Sequence, residues 1–428
     1  MRVHTSNSGL SSWRLSAVLT ALALLITACS GASAATATGA AAAPTTLAQK
    51  KKSSASSTIA AVLSQTPLPQ TTPTEAATTA PTMTQAAPTQ ASGTVSFPAL
   101  QHISMEDADT GWGLSQDAVF YTTDGGRDWK NITPQSGWLA QSIVKGFFLN
   151  ASTAWVIQPA EKNFDTGTLY HTEDGGQSWE ATKVPFGPNP LHFLNANDGW
   201  VMADRGAAAG SMGVDIYKTT DGGTSWTKVQ SAGPETQDTP GALPFGGDKS
   251  GMAFKDMRDG WIGGFQPIIG HSYLYRTTDG GKTWMLQDLK IPAAYSSSSV
   301  LTLAPKFFTN QEGMLPVSLE MQVQSIDFYV THDGGQTWQS TAVVQNQEAY
   351  DIVSMQDIRV WSKNTLKVTH DGAQNWTSIT PVIALQGKIQ QLDFINQKTG
   401  WAISMDIKEN MHLYQTQDSG KTWNQLSK

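Results

Sequence analysis

The sequence predicts an all-β fold, a seven-bladed β-propeller of four-stranded antiparallel blades. Three observations carry this. A short corner, Thr-x-Asp followed by Gly residues and closed by Trp, occurs seven times at intervals of 38 to 58 residues. A second pattern precedes each corner: a residue that is apolar in six copies, then Gly-Trp ending seven positions later, as in Phe193…Gly199-Trp200, with Ala154-Trp155, Gly313-Met314 and Val360-Trp361 as departures. No segment of helical periodicity interrupts either. A fixed motif at such a period marks a repeat architecture, whose units bury their apolar faces on one another.

Residues 1–28 read as a signal peptide. Arg2 and Arg14 make a basic start, and Ala17 to Ile26 form an apolar core too short to span a bilayer. It ends Leu25-Ile26-Thr27-Ala28-Cys29, which looks like a bacterial lipobox, so Cys29 is the expected lipid attachment site. The bland alternative is a signal cut at an Ala, with Cys29 a spare thiol. Cys29 is the only cysteine, which excludes a disulfide within one chain. Lipidation would place the protein on the extracytoplasmic face of a bacterial cell membrane.

Residues 29–95 are a linker of Ala, Thr, Ser, Pro and Gln. Its only charges are Lys50, Lys51, Lys52 and Glu75, and no aromatic residue precedes Phe97. Such a stretch cannot bury enough apolar surface to offset chain entropy, so it is expected to be disordered. Its root-mean-square reach is about 45 Å, from about 5–6 Å × √n.

Residues 96–428 carry the repeats. The corner aspartates are Asp124, Asp174, Asp221, Asp279, Asp333, Asp371 and Asp418, with Trp partners Trp129, Trp179, Trp226, Trp284, Trp338, Trp376 and Trp423. Asp-Gly-Gly is hairpin chemistry: the carboxylate accepts from backbone N–H groups just ahead of it, and Gly takes the positive-φ positions. Aromatic-apolar strands such as Val119-Phe120-Tyr121 lead into the corner. Each unit is therefore strand A, turn, strand B, loop, strand C, Asp corner, strand D. Ala373 replaces the second Gly of copy six and Ser419 the first Gly of copy seven. Copy six is expected to be the more strained. Of 15 Trp, six open strand B, seven close a corner and Trp13 lies in the signal; only Trp138 has no repeat position. The ring closes either without strand exchange or with Val95 to Leu100 added to the last blade.

The corner is identified as the Asp-box, or bacterial-neuraminidase repeat. The chain from about residue 96 onward resembles Asp-box propellers: sialidases, xyloglucanase-type glycosidases, sortilin-type receptors and, most closely, the photosystem II stability/assembly factor family. That last family has single seven-bladed propellers with Thr-x-Asp-Gly-Gly-x-Thr-Trp and Gly-Trp repeats. Its cyanobacterial members are lipoproteins, and it binds its client through basic surface residues. The resemblance implies a non-catalytic, protein-binding scaffold with no cofactor. Here the propeller holds 23 Lys plus Arg against 34 Asp plus Glu, a balance near −11. That balance argues against nucleic acid and anionic lipid surfaces as partners.

The corner turns and the A–B turns hardly vary in length and share one face, whereas the B–C and D–A connections on the other face vary freely. Free loops are where sites are grafted. Candidate contact residues there are Trp138, Arg205, Phe265 and Tyr295, with Phe164, Phe245 and His271 beside them. A sialidase would need three converging Arg, an arrangement suited to a substrate carboxylate. The five Arg beyond residue 96 are Arg127, Arg205, Arg258, Arg276 and Arg359, and their repeat positions scatter. A glycosidase would need two carboxylates facing one cleft; Asp165, Asp204, Asp215 and Glu320 lie near the variable face without any pairing in sequence. The eight His show no ligand spacing, so no metal site is expected. A protein client is the expected partner of a monomer; the alternative is an extracellular glycan-binding module or a glycoside hydrolase of sialidase-like type.

Overall fold

The computed structural model describes residues 94–95, 98–134, 144–160 and 164–426. All of them belong to one compact unit; a second unit, 13–85, falls outside the described residues, as do Cys29 and Trp138. The described chain is all-β, its only helices being short 3-10 turns at Pro234–Thr236 and Ala293–Tyr295. No described helix is long and apolar enough to cross a membrane.

Strands pair in the order A-B-C-D, antiparallel throughout. Repeat two is typical, with Lys145–Phe148, Ala154–Pro159, Gly167–Thr172 and Glu180–Val184 as neighbours in that order. Repeats three, six and seven also form four-stranded sheets. Repeats four and five share a nine-stranded sheet, because Ser299–Thr302 pairs with Gly313–Glu320 and also meets Phe265. Repeat one has five strands. Its extra strand, Thr94–Val95, lies antiparallel to strand D, Trp129–Asn131. Of the two closures expected, the one that adds Val95 to Leu100 to the last sheet is not seen: the added strand joins the first sheet.

The Phe…Gly-Trp pattern is the joint between successive repeats. The strand-B Trp of one repeat stacks on the strand-A Phe of the next: Trp155 on Phe193 at 3.7 Å, Trp200 on Phe254 at 3.9 Å and Trp261 on Phe307 at 4.8 Å between ring centroids. All three Trp are fully buried, and each such pair adds on the order of 1 kcal/mol beyond its buried area. The Gly before each Trp makes room for the Phe. A Cβ on Gly199 would stand 2.5 Å from the Phe193 ring, and one on Gly400 2.4 Å from Phe394. In repeat six Ser354 stands where Phe is usual, and Val360 occupies the Gly position.

Three strand-B Trp also tie their repeat to the next corner. Trp155 Nε1 donates to Gly222 O (2.8 Å) and Trp200 Nε1 to Gly280 O (3.2 Å). Trp401 Nε1 of repeat seven donates to Gly125 O of repeat one (2.9 Å), across 276 residues of sequence.

The inner strands are capped by side chains of a neighbouring repeat. Gln391 both accepts from Ile103 N and donates to Ile103 O, and Asp393 Oδ2 accepts from Met105 N at 2.7 Å. Asp351 does the same for Phe394 N, and Lys306 Nζ donates to Ile352 O. His192 Nε2 meets both Phe254 N and Phe254 O. An exposed strand edge would otherwise leave these groups unpaired.

Candidate functional site

The seven Asp-box carboxylates are committed to their own corners. In every copy Oδ1 accepts from the hydroxyl of the Thr two residues earlier and from the N–H four residues later; for Asp333 these are Thr331 (2.8 Å) and Thr337 (2.9 Å). The corresponding bonds recur at Asp124, Asp174, Asp221, Asp279, Asp371 and Asp418. In six copies Oδ2 also accepts from the side chain four residues later. Copy one has Asp128 at that place. The Thr hydroxyl in turn accepts the N–H of the second Gly, as Thr331 does from Gly335 at 2.8 Å. Burial pushes Asp333 upward, but these donors outweigh it and hold its pKa at about 2. The donors of Asn375 and Thr369 hold Asp371 at about 2 as well.

Each corner also anchors to the A–B turn of its own repeat. The N–H of the residue after the Asp donates to that turn's backbone in all seven copies, from Gly125 to Asp109 O through Ser419 to Lys398 O. Corner and A–B turns therefore do share one face, as their constant length implied. Ala373 and Ser419 both take positive φ, 67° and 66°. The expected excess strain of copy six is thus matched in copy seven.

On the opposite face the predicted residues do not converge. Arg205 Nη1 is held by Glu235 Oε1 at 2.6 Å and lies 3.7 Å from Asp215. Tyr295 is half-buried against repeat five, and its hydroxyl meets Gln345 Nε2 at 3.4 Å. Phe265 and Phe245 are half-buried; Phe164 and His271 are exposed. The five Arg stand apart. Arg127 bonds Asp124 O, Arg258 bonds Thr278 O, Arg276 bonds Asp259, and Arg359 is fully buried. Asp215 is taken by Lys228 and Ser231. The inner-strand carboxylates Asp351 and Asp393 are spent on backbone N–H groups. Among the described residues no cluster of His, Cys, Asp and Glu is placed to hold a metal ion.

What this face does display is apolar. Phe164, Ile268, Ile269, Met321, Val323 and Ile407 sit at the tips of B–C connections from four repeats, each at least 40% exposed. Apart from Phe164, sequence reasoning missed these tips, because single apolar residues in loops carry no periodicity. It also missed Lys249, on strand A of repeat four. Lys249 is 6% exposed, and its Nζ donates to the carbonyls of Met212 (2.8 Å), Pro244 (2.7 Å), Phe245 (2.9 Å) and Gly247 (3.0 Å). Together with Gly247 N to Gly210 O (2.8 Å) it fastens the long hairpin of repeat three to the loop that follows it. No sequence motif marks a lysine whose partners are all backbone.

Residues 117–237 match the model of the sortilin (neurotensin receptor 3) family, and residues 329–340 match the BNR/Asp-box repeat. No curated protein matches the chain. Among solved structures the chain is similar to YCF48 bound to D1 peptide, at 14% identity and a TM-score of 0.50, covering 78% of this chain and 98% of that one. It is also similar to YCF48 from Cyanidioschyzon merolae, at 13% identity and a TM-score of 0.45, covering 78% and 97%. At such identity the first likeness is one of fold, and the fold is a propeller of Asp-box type.

Proposed function

We propose that this protein is a cell-surface lipoprotein whose propeller is a non-catalytic scaffold for a protein partner. Its seven Asp-box repeats correspond to seven blades, Cys29 carries the lipid, and residues 29–95 form the tether. The observation that carries the reading is the contrast between the two faces. One face spends its seven carboxylates on its own backbone, and the other exposes apolar loop tips from four repeats. Apolar loop tips on the face whose connections vary support contact with another protein. Tyr295, which a glycan site would present as an open ring, is packed instead. The YCF48 structure with its D1 peptide supports the reading to this extent: a propeller of this fold can hold a peptide. The client here is unnamed by chemistry, since the domain is acidic and its arginines are engaged.

Co-purification from solubilised membranes tests the proposal. Recovery of a defined protein complex by the full-length chain is expected, and Cys29→Ser is expected to release the chain from the membrane fraction. Hydrolysis of a glycan panel by the pure domain would replace the scaffold with an enzyme. Retention of Cys29→Ser on membranes would refute the lipid anchor.

A further inference from the structure

A cavity of about 530 Å³ lies between the sheets of repeats five and six. It exists because the connections there are short. Repeat five passes into repeat six through one residue, Asn346, with φ 56°. Strands B and C of repeat six are joined by Lys363 and Asn364 alone, with φ 49° and 60°, as a tight hairpin requires. No loop is left to fill the gap that longer connections cover elsewhere.

Val343, Val344 and Trp376 give it an apolar lining, and Lys363 and Lys367 are its only charged residues. Lys367 Nζ donates to Ser378 Oγ at 2.7 Å, and neither lysine has a carboxylate partner among the described residues. In a domain with a charge balance near −11, two uncountered ammonium groups beside an apolar wall call for a carboxylate-bearing ligand with aliphatic surface. Trp376 is held in place there: its indole N–H donates to Ala342 O at 3.2 Å, and its ring centroid lies 6.0 Å from that of Phe328.

We propose that this cleft seats an acidic, extended peptide segment of the partner, with its carboxylates at Lys363 and Lys367 and an aliphatic side chain against Val343, Val344 and Trp376. The proposal rests on the protein-binding reading above and gives it a place and a charge. Calorimetric titration of the full chain with an octapeptide of alternating Leu and Glu, capped at both ends, tests it. Binding is expected, at least tenfold weaker when Gln replaces Glu, weaker at high salt, and at least tenfold weaker in the Lys363→Glu, Lys367→Glu double variant. Neither lysine is buried, so the variant should keep its near-ultraviolet circular dichroism. Equal binding of the Gln peptide, binding unchanged in the double variant, or no binding at all would overturn it. Binding of hexagalacturonate in place of the peptide would overturn the peptide class. If the double variant still recovers the wild-type complex from membranes, the cleft is wrong and the scaffold stands. If the wild-type chain recovers none, the scaffold itself fails.

Discussion

At the scale of the residue, the Asp-box carboxylate is a structural acceptor with a measurable titration. Asp333 and Asp371 are held at about 2, below the roughly 3.9 of an unfolded Asp. A depressed carboxylate contributes stability that is complete above its unfolded pKa and lost as pH falls through its folded one. The urea midpoint should therefore drop between pH 4 and pH 2. Asp333→Asn should unfold earlier than wild type at pH 5, with the gap closing at pH 2.5. A gap independent of pH would contradict this account. The two departures from Gly at the corners separate by packing. Ser419→Gly should gain about 1 kcal/mol by relieving a left-handed backbone. Ala373→Gly should gain less, since its fully buried methyl is worth about 0.8 kcal/mol. Chemical denaturation of the two variants distinguishes them.

At the scale of the element, side chains of one repeat fasten backbone of another. Lys249 is the strongest case. Lys249→Met would keep the aliphatic bulk and leave the carbonyls of Pro244, Phe245 and Gly247 without their common donor. The expected cost is on the order of 3 kcal/mol, with early proteolysis in the loop 233–247 as a second readout. Cleavage at the wild-type rate would show that the ammonium fastens nothing. The strands and corners were legible in the sequence because alternation and Gly-Gly are local signals. The spacing of Phe193 to Gly199 was legible too, but not its reason: the two are cross-strand partners, and the ring lies where a Cβ on Gly199 would stand. The partners of Arg205 and Tyr295 were not legible for a related reason: their loops read as free, yet Glu235 and Gln345 come from elsewhere to meet them.

At the scale of the whole molecule, three indole donors run in one direction, from the strand-B Trp155, Trp200 and Trp401 to the next corner. Trp401 to Gly125 brings that series from the last repeat back to the first. Trp401→Phe keeps an aromatic ring and leaves a buried carbonyl unsatisfied, at a cost of about 1–3 kcal/mol. If this joint is the weak one, hydrogen exchange should rise first in Lys388–Phe394 and His102–Met105, ahead of the middle repeats; uniform exchange would place no special burden there. Thr94–Val95 bears on the same joint. Because that short strand lies along the outer rim of the first sheet, a pull transmitted from the residues before it would peel a two-residue ribbon sideways. The load would be absorbed at the periphery and spent before it reached the meeting of first and last repeats.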